Sequence, residues 1–188
     1  MFASLAAVAL LAFAPADEKR TLTVATSRAL PKIDAVSVYP AGTKFDGMAK
    51  VTPVATGQPG EAIALAGDGP FDVYVRPAGQ RPVLAAAKLT VKAGKPHEVK
   101  LGDLFGTVQV FQADDSPRLG KVVITPQDDP GPDEKGHVAV QAGTEYREEL
   151  VVPDGVYAVW VVPGNGARAQ RIADRIRVLA GKNVRVGD

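Results

Sequence analysis

The feature that most constrains this chain is a repetition. Asp154-Gly155-Val156-Tyr157-Ala158-Val159-Trp160-Val161-Val162-Pro163 echoes Asp68-Gly69-Pro70-Phe71-Asp72-Val73-Tyr74-Val75-Arg76-Pro77, which stands 86 positions earlier. Val178-Leu179-Ala180-Gly181-Lys182 echoes Val91-Lys92-Ala93-Gly94-Lys95, 87 positions earlier, and Val184-Arg185-Val186-Gly187-Asp188 echoes Val99-Lys100-Leu101-Gly102-Asp103, 85 positions earlier. Twelve of these twenty paired positions are identical, in the same order and at a near-constant offset. Such a chain folds as two copies of one motif, so the local pattern inside a copy settles the fold class.

That pattern is β. Residues 21–26 and 36–39 are rich in β-branched side chains and read as strands. Residues 50–54 read as a weaker third strand, which Pro53 confines to an edge or an end because proline cannot donate to a ladder. Residues 56–60 form a turn cluster. Apolar runs at 61–66 and 71–76 flank Gly67-Asp68-Gly69-Pro70, which predicts a hairpin. On its second strand Phe71, Val73 and Val75 share the core face, while Asp72, Tyr74 and Arg76 share the other. Residues 84–91 and 98–101 predict the next hairpin, turning at Ala93-Gly94.

In the second copy, strands at 106–111 and 121–125 precede an acidic, proline-rich loop at 127–136. Hairpins are then expected about Pro153-Asp154-Gly155, joining 146–152 to 156–162, and about Ala180-Gly181, joining 171–179 to 183–186. Ile172, Ile176 and Leu179 would line a helix face, but the alternation Arg175-Ile176-Arg177-Val178 favours strand. The expectation is an all-β chain of two tandem antiparallel β-sandwich modules, residues 17–103 and 104–188, each of about seven strands. No linker separates them, so they pack end to end or share one larger sandwich.

Before the first copy lies an apolar run at 5–13, too short to span a bilayer, followed by the small residues Ala14-Pro15-Ala16. Residues 1–16 read as a signal peptide cleaved after Ala16, although no Lys or Arg precedes the apolar run. No cysteine follows to accept a lipoprotein anchor. No other stretch approaches about 18 consecutive apolar residues. A periplasmic or secreted chain with no membrane span in its mature part is expected.

Composition removes several function classes. With 22 basic and 21 acidic residues, nothing steers the chain toward nucleic acid. The absence of cysteine excludes disulfides, thiol catalysis and Cys-type zinc sites. His97 and His137 stand in no metal-ligand spacing. Ser27, Ser37 and Ser116 lie in no Gly-x-Ser-x-Gly, and no Gly-x4-Gly-Lys-Ser/Thr loop is present. A non-enzyme is expected.

The pattern Gly-x-aromatic-x-Val-x-Val-x-x-Pro, then Val-x-Ala-Gly-Lys and a closing strand, runs through Gly155, Tyr157, Val159, Val161, Val178, Ala180, Gly181 and Lys182. It recurs at Gly69, Phe71, Val73, Val75, Val91, Ala93, Gly94 and Lys95. It resembles the carboxypeptidase-regulatory-like modules with a prealbumin-like sandwich. The resemblance implies a non-catalytic extracytoplasmic module used for spacing, packing or binding. The prealbumin-related hydroxyisourate hydrolases end in Tyr-Arg-Gly-Ser, whereas this chain ends Val186-Gly187-Asp188.

Three groups of residues carry candidate chemistry. Asp128, Asp129, Asp133 and Glu134, with Asp114 and Asp115, offer oxygen ligands for calcium, the one cofactor in view. They depart from the Asp-x-Asp-x-Asp-Gly spacing, and the plainer reading is a solvated insertion. Tyr74 and Trp160 match across the repeat on the face away from the core, where an exposed aromatic stacks on a sugar or anchors a partner. The plainer reading is that the other module or a partner copy covers that face. Arg168, Arg171, Arg175, Arg177 and Arg185 suit an acidic polysaccharide, or a solvated face with local pairing. The leading expectation is an exported, non-catalytic structural or protein-interaction module for an envelope or extracellular protein. The alternative is a carbohydrate-binding module that uses Tyr74 and Trp160 on a polysaccharide, and a hydrolase comes third.

Overall fold

The computed structural model describes residues 20–43, 51–67, 69–112 and 118–187. The expected signal peptide, Asp68, Asp114, Asp115 and Ser116 lie outside them. The described chain is all-β and forms two sandwich-like units of seven strands each. The first holds β1 (Arg20–Ala25), β2 (Ile33–Pro40), β3 (Ala55–Gly57), β4 (Ala62–Leu65), β5 (Phe71–Pro77), β6 (Val83–Leu89) and β7 (His97–Lys100). One 3-10 turn at Leu101–Asp103 leads into the second. That unit holds β8 (Phe105–Val110), β9 (Leu119–Pro126), β10 (Gln141–Gly143), β11 (Leu150–Pro153), β12 (Gly155–Pro163), β13 (Gln170–Val178) and β14 (Asn183–Val186).

Each unit packs a three-stranded sheet on a four-stranded one, with the same topology. The order is β4-β1-β7 over β3-β2-β5-β6 in the first unit, and β11-β8-β14 over β10-β9-β12-β13 in the second. The first strand of each unit pairs antiparallel with the fourth and parallel with the seventh. Cross-strand partners repeat residue for residue. Val36↔Val75 and Val38↔Val73 in the first unit become Val122↔Val161 and Ile124↔Val159 in the second. The left-handed residue ahead of the fourth strand recurs as well. It is Gly60 at φ 83° in one unit and Arg147 at φ 66° in the other, and each donates its backbone N–H to the first strand, at Val24 and Val110.

The strands fall where alternation places them, but the four expected hairpins do not form. β4 and β5 flank a Gly-Asp-Gly-Pro turn yet belong to different sheets, as do β6 and β7, β11 and β12, and β13 and β14. A tight turn reverses the chain whether the next strand bonds to its neighbour or crosses to the facing sheet. Turn chemistry alone does not distinguish the two. The adjacent-strand pairings are β2–β3, β5–β6, β9–β10 and β12–β13. The third strand is Ala55–Gly57 rather than 50–54, because Pro53 keeps the ladder from starting sooner. β10 carried too short a signal to be read. The closing strands also pair differently from the sequence echo. Val99 lies beside Val24, and Val186 beside Val110, so Val99 matches Val186 and not Val184. A slip of two residues leaves every side chain on its face, so sequence likeness is blind to it.

The two cores are separate, with two side chains crossing from the second unit into the first. Leu22, Val24, Val36, Val38, Val73 and Val75, all fully buried, join the two sheets of the first unit. Val108, Ile124, Leu150, Val159 and Val178 do so in the second. Each such side chain contributes about 1.5–3 kcal/mol through burial. Phe105 and Val151, from strands of the second unit, are buried in the first core. The Gly-x-aromatic motif has a packing cause in both copies. The ring folds back across the glycine, so a Cβ on Gly69 would sit 2.9 Å from Phe71, and one on Gly155 would sit 2.8 Å from the Tyr157 hydroxyl. That hydroxyl donates to the Pro153 carbonyl at 2.9 Å.

Two glutamines lock the units together. Gln80, in the β5–β6 turn, donates Nε2 to the Glu149 carbonyl at 2.7 Å and accepts the Val151 N–H at 3.1 Å. Gln141, on β10 and wholly buried, reaches the other way. Its Oε1 accepts the Arg81 N–H at 3.3 Å, and its Nε2 donates to the carbonyls of Arg81 at 3.3 Å and Val151 at 3.5 Å. The units are therefore docked, with backbone of each satisfied by a side chain of the other.

Gln141→Ala would remove the bonds to the part-buried backbone of Arg81 and to the buried Val151 carbonyl, and leave a cavity. It is expected to lower unfolding stability by about 2–3 kcal/mol, against about 1 kcal/mol for Gln80→Ala at the less buried rim. Urea midpoints at constant m-value measure both, and equal, negligible losses would contradict the lock.

Candidate functional site

Trp160 lies on the outward face of β12, between Val123 on β9 and Arg171 on β13. The loop that follows β9 in its own unit folds back across it. The ring is half-buried, its Nε1 donates to Thr125 Oγ1 at 3.1 Å, and the Arg171 guanidinium stands 5.4 Å from its centroid. Gly131 lies against the ring edge, so close that a Cβ there would come within 2.6 Å of it. Gly131 also holds φ 107°, a conformation few other residues take.

Asp129 shapes that loop. Its side chain is only 4% exposed. Oδ1 accepts the Gly131 N–H at 2.8 Å and faces His137 Nδ1 at 2.9 Å, while Oδ2 accepts the Val138 N–H at 2.7 Å. Burial works against its charge, but the hydrogen bonds from His137, Val138 and Gly131 outweigh it and hold the carboxyl below its ordinary 3.8. Asp133 ties the loop to the β12–β13 turn, accepting the Ala169 N–H at 2.7 Å. A cleft of about 280 Å³ remains beside the ring, lined by Pro130, Pro132, Asp133, Glu134, Trp160 and Arg168. Among the described residues, no ion pair joins Glu134 to Arg168.

The structure thus brings Trp160, Asp133 and Glu134 together and sets Asp128 and Asp129 in a neighbouring groove with Arg171, Asp174 and Arg175. Among the described residues, no three acidic or histidine side chains converge as a metal centre requires. The oxygens of Asp129 are taken by the loop's own donors.

Tyr74 holds the matched position on the first unit's outer face. Its ring meets Tyr39 edge-on at 5.7 Å, and its hydroxyl donates to the Thr43 carbonyl at 3.3 Å. Burial, with Asp72 and Tyr39 beside it, pushes its pKa up. Asp72 is buried on this outer face, against simple alternation, because it accepts N–H bonds from Gly42 at 2.7 Å and Lys88 at 2.8 Å. The latter holds Lys88 at φ 53°.

The arginine cluster disperses. Arg171 pairs with Asp174 at 2.6 Å, Arg177 with Asp154 at 3.0 Å, and Arg185 stands over Phe111 at 5.3 Å. Sequence reasoning missed a different group. Arg76, Arg81 and Lys121 meet in one cleft where the units join. They are far apart in the chain, and only the docking reveals them.

No family model matches the chain, and no curated protein matches it. A solved structure described as "a putative cell adhesion protein from Bacteroides ovatus ATCC 8483" is similar at 10% identity and a TM-score of 0.33, covering 90% of this chain and 92% of that one. A likeness of that size carries no inference about function.

Asp129→Ala should release the loop and uncover Trp160, giving red-shifted emission and easier acrylamide quenching. In the parent chain the carboxyl's folded pKa is depressed. Its contribution is therefore full above the ordinary 3.8 and is lost as pH falls through the lower folded value. An Asp129→Ala spectrum identical to the parent's would contradict the pinning.

Proposed function

We propose that this chain is an exported, non-catalytic β-sandwich protein that presents fixed surfaces to a partner in the envelope or outside the cell. The observation that carries the reading is the glutamine lock between the units, because two sandwiches held at one angle act as a spacer or docking body. Some of the groups a hydrolase would use are engaged in structure. His137 Nδ1 meets Asp129 inside the loop, Ser27 Oγ accepts the Ala29 N–H in a turn, and Ser37 lies opposite Tyr74 in the sheet. Export rests on residues 1–16. A prealbumin-like, carboxypeptidase-regulatory-like identity for each unit is supported by the three-on-four sheets and the fold-back of Phe71 and Tyr157 over glycine.

A second reading, carbohydrate binding, is favoured by the cleft at Trp160 and narrows to that unit. An indole face with Glu134 and Arg168 near it offers stacking and hydrogen bonding to a sugar.

A panel of chromogenic esters, amides and glycosides should show no turnover above buffer. Turnover that His137→Ala abolishes would overturn the non-catalytic reading. Glycan titrations followed by Trp160 emission test the second reading. Protection from acrylamide supports it, and indifference to every glycan removes it.

A further inference from the structure

The cleft between the units holds about 520 Å³, within the span of about 300–1,000 Å³ typical of small-ligand sites. Three cations line it. Arg76 stands near the end of β5, Arg81 lies in the β5–β6 turn, and Lys121 comes from β9 of the other unit. Among the described residues, none of the three has a carboxylate within ion-pair distance, whereas Lys32, Lys100, Arg171 and Arg177 each have one. Glu148 approaches Gly143 at the cleft wall, and its Oε2 is occupied by the Thr144 N–H at 3.0 Å.

The repeat does not copy this charge. Ala35 occupies the first-unit place of Lys121, and Val162 the second-unit place of Arg76, since Ala35 pairs with Arg76 just as Lys121 pairs with Val162. Arg76 and Lys121 therefore have no cationic counterpart in the repeat. We infer that this inter-unit cleft binds a carboxylate-bearing sugar chain.

The chemistry favours that ligand. A guanidinium matches a carboxylate with two parallel hydrogen bonds, and the uncompensated charge draws anions into the cleft. Pro82 and Ala142 contribute small apolar surface on which the flat face of a sugar ring can lie. They form no deep pocket for the large side-chain anchors that fix a peptide. The turn that carries Arg81 is already held through Gln80 and Gln141, so binding loses little entropy in ordering it. This site is separate from the Trp160 cleft and does not depend on it.

Calorimetric titration of the mature chain with hexagalacturonate, near 20 mM and near 150 mM salt, tests the inference. Binding is expected at low salt and should weaken as salt screens it. Arg76→Gln and Arg81→Gln should each raise Kd by about fivefold or more. Lys121→Gln should raise it less, and Lys92→Gln, exposed and outside both clefts, should leave it unchanged. Arg81→Gln keeps the backbone that Gln141 holds, and circular dichroism verifies each fold. Three results would overturn the inference: no binding of hexagalacturonate at low salt, equal or tighter binding of a hexaglutamate peptide, or affinity that ignores Arg76 and Arg81 but falls with Arg168→Gln, at the other cleft.

Discussion

Gln141 is wholly buried, and the disposition of the two units follows from what its amide does. A buried amide left without partners costs about 1–3 kcal/mol for each unsatisfied group. Its partners are Ala142 and Val151 in its own unit and Arg81 in the other, so two of its four hydrogen bonds form only when the units are docked. Gln80 makes the reciprocal demand from the other side. Val151 sits between the two glutamines and buries its side chain in the first core. Polar complementarity sets the register of the joint, and Val151 with Phe105 seals it. The cationic cleft exists because that joint is fixed.

A second constraint recurs in both units. A four-stranded sheet has two faces, and only one can meet the partner sheet. On the other face each unit places an aromatic at the matched position, Tyr74 or Trp160, and pins neighbouring chain with one carboxylate. In the first unit Asp72 holds Gly42 and Lys88. In the second, Asp129 closes the β9–β10 loop over the indole. The carboxylates come from different strands and loops, so the device was built twice and not copied. The second unit's loop leaves a cleft beside its aromatic.

Much of the architecture was legible in the sequence because strand period and turn residues are local signals. Phe71, Val73 and Val75 alternate, and they are buried as alternation requires. The duplication was legible through the glycine-aromatic blocks, which packing of the ring over the glycine explains. Strand pairing was not, because Gly67 to Pro70 would reverse the chain equally well within a sheet or between sheets. The candidate sites divide the same way. Trp160, Asp133 and Glu134 could be singled out by position and type. The gathering of Arg76, Arg81 and Lys121 could not, since it depends on how Gln80 and Gln141 dock two units.

The most direct test of this account is the distance between the units in solution. The chain has no cysteine, so Lys95→Cys and Asn165→Cys give a clean pair of spin-label sites, one on an exposed turn of each unit. Pulsed dipolar spectroscopy should return a single narrow distance distribution, broadened when Gln80→Ala and Gln141→Ala are added together. A broad distribution in the chain with both glutamines intact would mean the units swing freely, and the lock would not be what organises the molecule.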